Sequence, residues 1–358
     1  MIDVKAVSHN MQLDGLRAIA VMAVLYTHFG DKTSTLGHFG VRIFFILSSF
    51  LITGILLRVR ESHSFQIGHA LRSFYAHRAL RILPAFYALV GFYAVTDLHD
   101  IRSELLWQGA FLSNFRYAYL NAWVPWQLAH TWTLSIEMQF YMVWPFVVLC
   151  LSRHHVALVS FLLLGLTLFY RLGWFAASQD HLAQDLLPFG SFDALAIGAL
   201  IAIYPDVWSR VPRYLYGVAF ACIAITAFFI WIPWDQRVLQ HVSWIAVGTI
   251  PLFPMALLVA TAAQNRKGML GTLLSMKPIV GLGRISYGLY LYHLPIIALG
   301  VGRVGWIPFA DTTLGRLFIF SVMSIAVATA SWIWLEKPIL DLKRHFPFLP
   351  LLKASPQP

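Results

Sequence analysis

The sequence predicts an all-α, polytopic membrane protein, and three observations support this fold class. Hydrophobic residues make up 59% of the 358 positions, charged residues only 12%, and the mean hydropathy is +0.68. Soluble domains of ordinary composition carry about 25% charged residues. The apolar residues are also gathered into stretches close to the roughly 20 residues that a helix needs to cross a bilayer. A water-soluble fold is therefore excluded.

About ten stretches reach this length, and we expect each to form a transmembrane helix. They lie at about 13–30, 40–57, 80–97, 133–151, 155–174, 187–203, 214–232, 243–263, 284–301 and 315–334. An even number of crossings leaves both termini on one side. With both termini inside, the inner segments hold roughly 17 Lys and Arg against about 8 outside. The sequence therefore predicts cytoplasmic termini, with the weakest crossing beginning near Leu187.

The chain is expected to form one integral membrane domain over 1–340, followed by a short cytoplasmic tail over 341–358. The formal charge of +10 comes from basic residues in the short connections, which indicates topology and predicts no nucleic-acid partner.

The two cysteines, Cys150 and Cys222, both lie in apolar stretches, so no disulfide framework or cysteine metal cluster is expected. The histidines show no metal-ligand spacing, and no metal is predicted.

The first stretch carries Arg17 near one end and His28 near the other. Eleven residues separate them, which is about three helical turns, so both side chains project from one face roughly 16 Å apart along the axis. Ionisable groups at such depth are costly unless they face a polar interior. This face is therefore predicted to line a functional site.

Two further arginines, Arg78 and Arg81, stand immediately before the third predicted crossing. Arginines three positions apart share a helix face and can hold phosphate groups through several directed donors. They suit a nucleotide-like ligand bound from the cytoplasm. The alternative is that they only fix topology, as basic residues in inner connections commonly do.

An acidic residue, Glu137, is predicted about one turn below the outer surface, at the depth of His28 on the first helix. A histidine paired with a carboxylate is the usual arrangement for general-base catalysis, because the carboxylate sets the tautomer and stabilises the imidazolium. We therefore expect His28 and Glu137 to meet. The alternative for His28 is an interfacial or hydrogen-bonded histidine.

Further polar residues lie within the predicted crossings and are candidates for the substrate side. Ser48 and Tyr287 carry hydroxyls that either bind substrate or bond to the backbone and neighbouring helices. Asp193 and His293 require partners, because ionisable groups inside a membrane are seldom left alone. These four residues are predicted to line the acceptor side.

Six motifs, read together, resemble the membrane-bound acyltransferase 3 family, which comprises bacterial enzymes that O-acylate glycans and smaller molecules. The motifs are LDGLRAIAVMAVLYTH, GVRIFFILSSFLIT, RALRILPAFY, HTWTLSIEMQFY, FDALAIGAL and ISYGLYLYHLP. They extend from residue 13 to about 340. By this resemblance His28 is the catalytic histidine and Glu137 its acidic partner, while Arg17, Arg78 and Arg81 correspond to arginines assigned to the acyl-coenzyme A donor.

The resemblance implies a multi-pass enzyme of the bacterial inner membrane that moves an acyl group, expected to be acetyl, from acetyl-coenzyme A to a hydroxyl. The implied acceptor is a sugar of an exopolysaccharide, capsule or lipopolysaccharide, or a lipid-linked glycan, in polysaccharide biosynthesis. O-acylation of a small molecule or lipid is an alternative, and a glycan transporter or flippase is a more distant one. Two positions depart from the family pattern: Ser49 replaces a usual Gly, and Met138 a frequent second Glu.

Overall fold

The computed structural model describes residues 10–177, 182–232, 237–300 and 312–348, and this part of the chain is helical, without β-strands. The α-helices up to residue 203 are α1 (Met11–Leu25), α2 (Leu36–Arg60), α3 (Ile67–Thr96), α4 (Leu105–Gly109), α5 (Ser113–Leu120), α6 (Thr131–Cys150), α7 (Arg153–Ala177), α8 (Ala183–Leu186) and α9 (Phe192–Ile203). Those that follow are α10 (Pro205–Ser209), α11 (Tyr214–Trp231), α12 (Arg237–Thr249), α13 (Leu252–Ala263), α14 (Met269–Leu274), α15 (Lys277–Arg284), α16 (Ser286–Gly300), α17 (Thr313–Ser331) and α18 (Lys337–Leu340).

Shorter helical turns join these elements. Two are π-helical, Tyr26–Gly30 after α1 and Trp332–Glu336 after α17. The 3-10 turns are Leu98–Glu104, Trp126–Leu128, Pro188–Gly190 and Asp341–His345. The π-helical turns matter most for function, because π-bulges are rare and occur frequently at functional sites.

Seven helical segments among the described residues are long and apolar enough to cross a membrane. They are Leu36–Arg60, Ile67–Thr96, Thr131–Cys150, Arg153–Ala177, Tyr214–Trp231, Leu239–Ala263 and Thr313–His345. The all-helical, multi-pass membrane class is thereby confirmed. Large apolar side chains cover the outside of several of these helices, as Phe169 of α7, Phe220 of α11 and Trp231 do.

Three of the ten predicted crossings are not among these seven segments. The predicted crossing at 13–30 coincides with α1 and the π-helical turn that follows it. The crossing at 187–203 contains α9, which has twelve residues, and the crossing at 284–301 contains α16, which has fifteen. The count of ten and the cytoplasmic position of the termini stay predictions. Residues 1–9, and 349–358 of the predicted tail, lie outside the described residues.

Helix α2 lies between α1 and α9 and contacts both closely. A Cβ atom on Gly198 of α9 would lie 2.2 Å from the main-chain oxygen of Ile46, and one on Gly40 would lie 2.4 Å from that of Ala20. Glycine thus permits backbone contact at both interfaces. Ser49, which departs from the family pattern, donates its hydroxyl to a main-chain carbonyl of α9 and so fastens the same interface.

The beginning of α1 is fixed by polar contacts. The side chain of Asn10 caps the helix and also donates to the carbonyl of Ala262, 2.9 Å away. A Cβ atom on Gly283 of α15 would lie 1.9 Å from the main-chain oxygen of Asp14, so α1 and α15 also touch through their backbones. These contacts hold the turn that carries Arg17 in a defined position.

Candidate functional site

A cavity of about 410 Å³ lies between α1, α2, α3, α6, α15 and α16, beside the end of α17. It brings together six of the nine residues predicted to form the site. They are Arg17, Ser48, Arg78, Arg81, Glu137 and Tyr287. His28, Asp193 and His293 do not line it.

Positive charge is in excess around this cavity. Its cationic lining residues are Arg17, Arg78, Arg81, Arg284 and Lys343, and its acidic ones are Asp14 and Glu137. Arg17 forms an ion pair of 2.7 Å with Asp14, one turn away on α1. A cavity with this balance suits an anionic ligand, because the field between apolar walls concentrates negative charge.

The two arginines of α3 are held by aromatic rings. The guanidinium carbon of Arg81 lies 5.6 Å from the ring centroid of Tyr287 and 5.4 Å from that of Trp332. Arg78 lies 5.5 Å from the ring of Tyr141. Both arginines occur in the middle of α3, because α3 begins at Ile67 and not near residue 80 as predicted. They therefore lie within a membrane-length helix, and a purely topological role explains them poorly.

A buried carboxylate that the sequence analysis missed lies beside Arg81. Glu336 is 1% exposed, and its Oε2 lies 3.7 Å from Arg81 Nη1. It belongs to the π-helical turn after α17 and also accepts a hydrogen bond from Ser331. The sequence signal that could have identified Glu336 is a single Glu at the end of an apolar stretch. Lys343, assigned to the tail by the sequence, also lines the cavity.

Glu137 forms a hydroxyl-rich cluster on the cavity wall. It accepts hydrogen bonds from Ser48 of α2 and from Tyr141, one turn further along α6. Tyr287, which also lines the cavity, donates its hydroxyl to the carbonyl of Ile82 at 2.7 Å and thereby joins α16 to α3.

His28 lies in a different group of side chains, formed by three imidazole rings. It belongs to the π-helical turn after α1, and its ring centroid lies 4.9 Å from that of His293. The ring of His130 lies 5.0 Å from His293 on another side. His130 and His293 are buried, while His28 is partly exposed. His130, at the N-cap of α6, was not singled out from the sequence.

The expected contact between His28 and Glu137 is absent, since no hydrogen bond or ion pair joins them. The reason is their depth: His130, a member of the histidine group, precedes Glu137 by seven residues, or about 10 Å along a helix. The space between holds Tyr290, whose hydroxyl lies 2.7 Å from Thr133 Oγ1 and 3.0 Å from the carbonyl of His130. Tyr290 and Thr133 line the cavity, so they separate it from the histidines.

Asp193, predicted to lie beside the acceptor, belongs neither to the cavity lining nor to the histidine group. Its Oδ2 lies 2.7 Å from Arg42 Nη2 and 2.8 Å from Arg171 Nη2, and all three side chains are at most 5% exposed. Arg42 also donates to the carbonyl of Gly190. Asp185, on the short helix α8, is close enough that the two arginines oppose the rise in its pKa that burial causes. This charge-balanced group joins α2, α7 and α9.

No group of three potential metal-binding side chains occurs in the part of the chain that the structure describes. Arginines and hydroxyls make up most of the polar lining of the cavity, and these residues recognise phosphates and polar organic groups rather than metal ions. The candidate ligand is therefore an organic anion.

The structure is thus a helical membrane domain with a cationic cavity in its interior, and such a cavity suits a negatively charged ligand. The chain belongs to the acyltransferase 3 family: residues 10–335 match Acyl_transf_3, described as an acyltransferase domain. This confirms the resemblance drawn from the six motifs.

Several curated proteins are similar to the chain. YrhL of Bacillus subtilis (strain 168) is 28% identical over 91% of this chain and 54% of its own length. The peptidoglycan O-acetyltransferase OatA of Listeria monocytogenes is 27% identical over 91% of this chain and 55% of its own length. The O-acetyltransferase OatA of Staphylococcus aureus is 28% identical over 96% of this chain and 59% of its own length. The chain thus spans about half the length of these relatives. No solved structure matches it significantly.

Proposed function

We propose that the chain transfers an acetyl group from acetyl-coenzyme A to a hydroxyl of a cell-envelope glycan, working in the bacterial inner membrane. The observation that carries the proposal is the arginine-lined cavity, whose lining residue Tyr290 contacts the ring of His293, which in turn contacts the ring of the partly exposed His28. Membership of the acyltransferase family supports acyl transfer. The names of the two OatA relatives support acetyl as the acyl group, and that from Listeria monocytogenes supports a glycan acceptor.

The donor is proposed to bind with its phosphates against Arg78 and Arg81. Coenzyme A carries several phosphates, and guanidinium groups bind phosphate oxygens through paired, charge-assisted hydrogen bonds. Stacking on Tyr287, Trp332 and Tyr141 fixes these guanidinium groups before the donor arrives. The thioester arm then extends past Arg17 toward Thr133 and Tyr290, and the acyl end must pass Tyr290 to reach His28.

His28 is proposed to act as the general base. It removes the proton of the acceptor hydroxyl, the oxygen attacks the thioester carbonyl, the C–S bond breaks, and the thiolate of coenzyme A leaves. The partly exposed side of His28, near the exposed Asp31 and Lys32, is the entrance proposed for the acceptor. A covalent acyl-histidine is compatible with the same residues, although direct transfer requires fewer steps.

Glu137 is proposed to shape the donor cavity rather than to hold His28. Its hydrogen bonds from Ser48 and Tyr141 fix two hydroxyls on the wall that the thioester arm passes. Ser48 and Tyr287 therefore belong to the donor side of the site in this proposal, and not to the acceptor side.

Replacing His28 tests the proposal. Because a positioned general base contributes about 100- to 10,000-fold to the rate, His28→Ala is expected to lower acetyl transfer by that factor. The assay follows labelled acetyl groups from acetyl-coenzyme A onto peptidoglycan fragments or cell-surface polysaccharide in proteoliposomes. His154→Ala, which changes an exposed histidine, is the matched control and is expected to keep normal activity.

Normal transfer by His28→Ala would contradict the proposed mechanism. Glycan movement across the vesicle membrane without added acetyl groups would instead favour a transporter.

A further inference from the structure

The tautomer of His293 follows from its hydrogen bond to the backbone. Its Nδ1 lies 2.6 Å from the carbonyl oxygen of Tyr290, and a carbonyl oxygen only accepts. Nδ1 therefore carries the hydrogen of the neutral ring, and Nε2 carries a lone pair. His293 is 0% exposed, and this Nε2 has no hydrogen-bond partner.

A buried acceptor without a donor is unusual, since nearly all buried polar atoms are hydrogen-bonded. Such an atom indicates a donor that arrives or turns toward it at some stage of function. Two imidazole rings lie next to His293, those of His28 at 4.9 Å and His130 at 5.0 Å between centroids. Each of these rings can offer an N–H group.

His28 is the better placed of the two for chemistry. It lies in a π-helical turn and is partly exposed, so it can meet a substrate, whereas His130 is 4% exposed and both of its ring nitrogens are buried without a hydrogen-bond partner. Among the described residues, no carboxylate is hydrogen-bonded or ion-paired to His28. The position that a carboxylate was expected to occupy is therefore taken by His293. Hydrogen bonds within active sites are often loose before substrate binds and shorten in the complex.

We propose that His293 is the positioning residue of His28: its Nε2 accepts the N–H of His28 and leaves the other nitrogen of His28 as the base. This inference rests on the proposed function. The free nitrogen of His28 takes the acceptor's proton as the C–O bond forms and the C–S bond breaks, and that proton then passes to the leaving thiolate. His293 keeps its own Nδ1 hydrogen throughout and supplies only the accepting lone pair.

Two substitutions of His293 separate this role from simple packing. His293→Leu removes the acceptor, and His293→Gln keeps a side-chain carbonyl that accepts a hydrogen bond. In the proteoliposome assay, His293→Leu is expected to lower kcat about 10- to 100-fold and to leave the KM for acetyl-coenzyme A within about twofold. His293→Gln is expected to retain at least about tenfold more kcat than His293→Leu.

Tyr292→Phe is the matched control on the same helix, because the Tyr292 hydroxyl lies 3.0 Å from Ser331 and not at the histidine group. It is expected to keep kcat within about twofold. Calorimetric binding of acetyl-coenzyme A to each purified variant shows that the fold is retained, and it is expected to be unchanged.

Equal losses of kcat in His293→Gln and His293→Leu, or wild-type kcat in both, would overturn the inference. If His28→Ala abolishes transfer while His293→Leu does not, the proposed function holds and only the role of His293 fails. If His28→Ala keeps transfer, the proposed role of His28 fails and this inference fails with it, whereas absence of acetyl transfer by the wild-type protein would refute the proposed function itself.

Discussion

Two groups of arginines lie inside this membrane protein, and they differ in charge balance and in access. Arg42 and Arg171 share Asp193 through short ion pairs and are 4% exposed. Arg78 and Arg81 line a cavity in which cationic residues outnumber acidic ones, and the side chain of Arg81 is 25% exposed. The charge of the first group is countered by carboxylates of the protein itself, whereas the second has room and charge for an additional anion.

The difference shows how to interpret arginine within a membrane helix. Such a residue is costly and needs a partner, so its presence alone indicates either a structural ion pair or a ligand site. The number of nearby carboxylates and the presence of a cavity decide between the two. On both criteria the arginines of α3 fit the donor site that we propose, and Arg42 and Arg171 fit a structural ion pair.

The largest effect is expected in the balanced group and concerns stability. Asp193→Ala leaves two buried guanidinium groups without their shared carboxylate, and breaking a buried ion pair in this way costs about 3–5 kcal/mol. Thermal unfolding of the purified protein in detergent measures the loss. Asp206→Ala, which changes an exposed carboxylate of α10, is the control and is expected to have little effect. If Asp193→Ala leaves the melting temperature unchanged and weakens donor binding instead, the two groups of arginines do not differ in the way proposed.

A smaller effect, on donor binding, is expected in the cavity. Arg81→Gln removes hydrogen bonds to a charged group, which are worth about 1.5–3 kcal/mol, so the KM for acetyl-coenzyme A should rise about 10- to 100-fold. Steady-state kinetics in proteoliposomes measure this change. Arg72→Gln alters an exposed arginine on the same helix that does not line the cavity, and it should leave KM unchanged. A fall in stability with no change in KM would give Arg81 the role assigned to Arg42.

The smallest effect is expected at the edge of the cavity. Lys343 is a flexible, partly exposed point charge, and exposed charge pairs contribute about 0.2–1 kcal/mol, so Lys343→Gln should raise KM at most about fivefold. Its neighbour Arg344 is exposed and does not line the cavity, so Arg344→Gln is a matched control. Equal KM values for the two variants would exclude Lys343 from the donor site.

Much of the fold and part of the site could be predicted from the sequence. Composition and segment length are enough for a helical membrane protein, because a bilayer allows few other solutions. Position along the helices also groups Arg17, Arg78 and Arg81 on the inner side of the membrane, and these three residues do line one cavity.

The partners of individual side chains could not be derived in the same way. The pairing of Asp193 depends on how α2, α7 and α9 pack, although Arg42 and Arg171 within predicted crossings were a signal that internal ion pairs exist. His28 was matched to Glu137 by estimated depth alone. An error of about two helical turns placed the carboxylate where the structure has His130 and His293.

The most direct test of the central claim compares acetyl-coenzyme A with a donor that has the same thioester arm but lacks both the phosphates and the adenosine. Calorimetry with the purified protein should show acetyl-coenzyme A binding at least about 100-fold more tightly than S-acetylpantetheine, which has the thioester arm and no phosphates. An Arg78→Gln, Arg81→Gln double variant should lose most of that difference. Equal binding of both compounds to the wild-type protein would contradict the assignment of the arginine cavity to a phosphorylated donor.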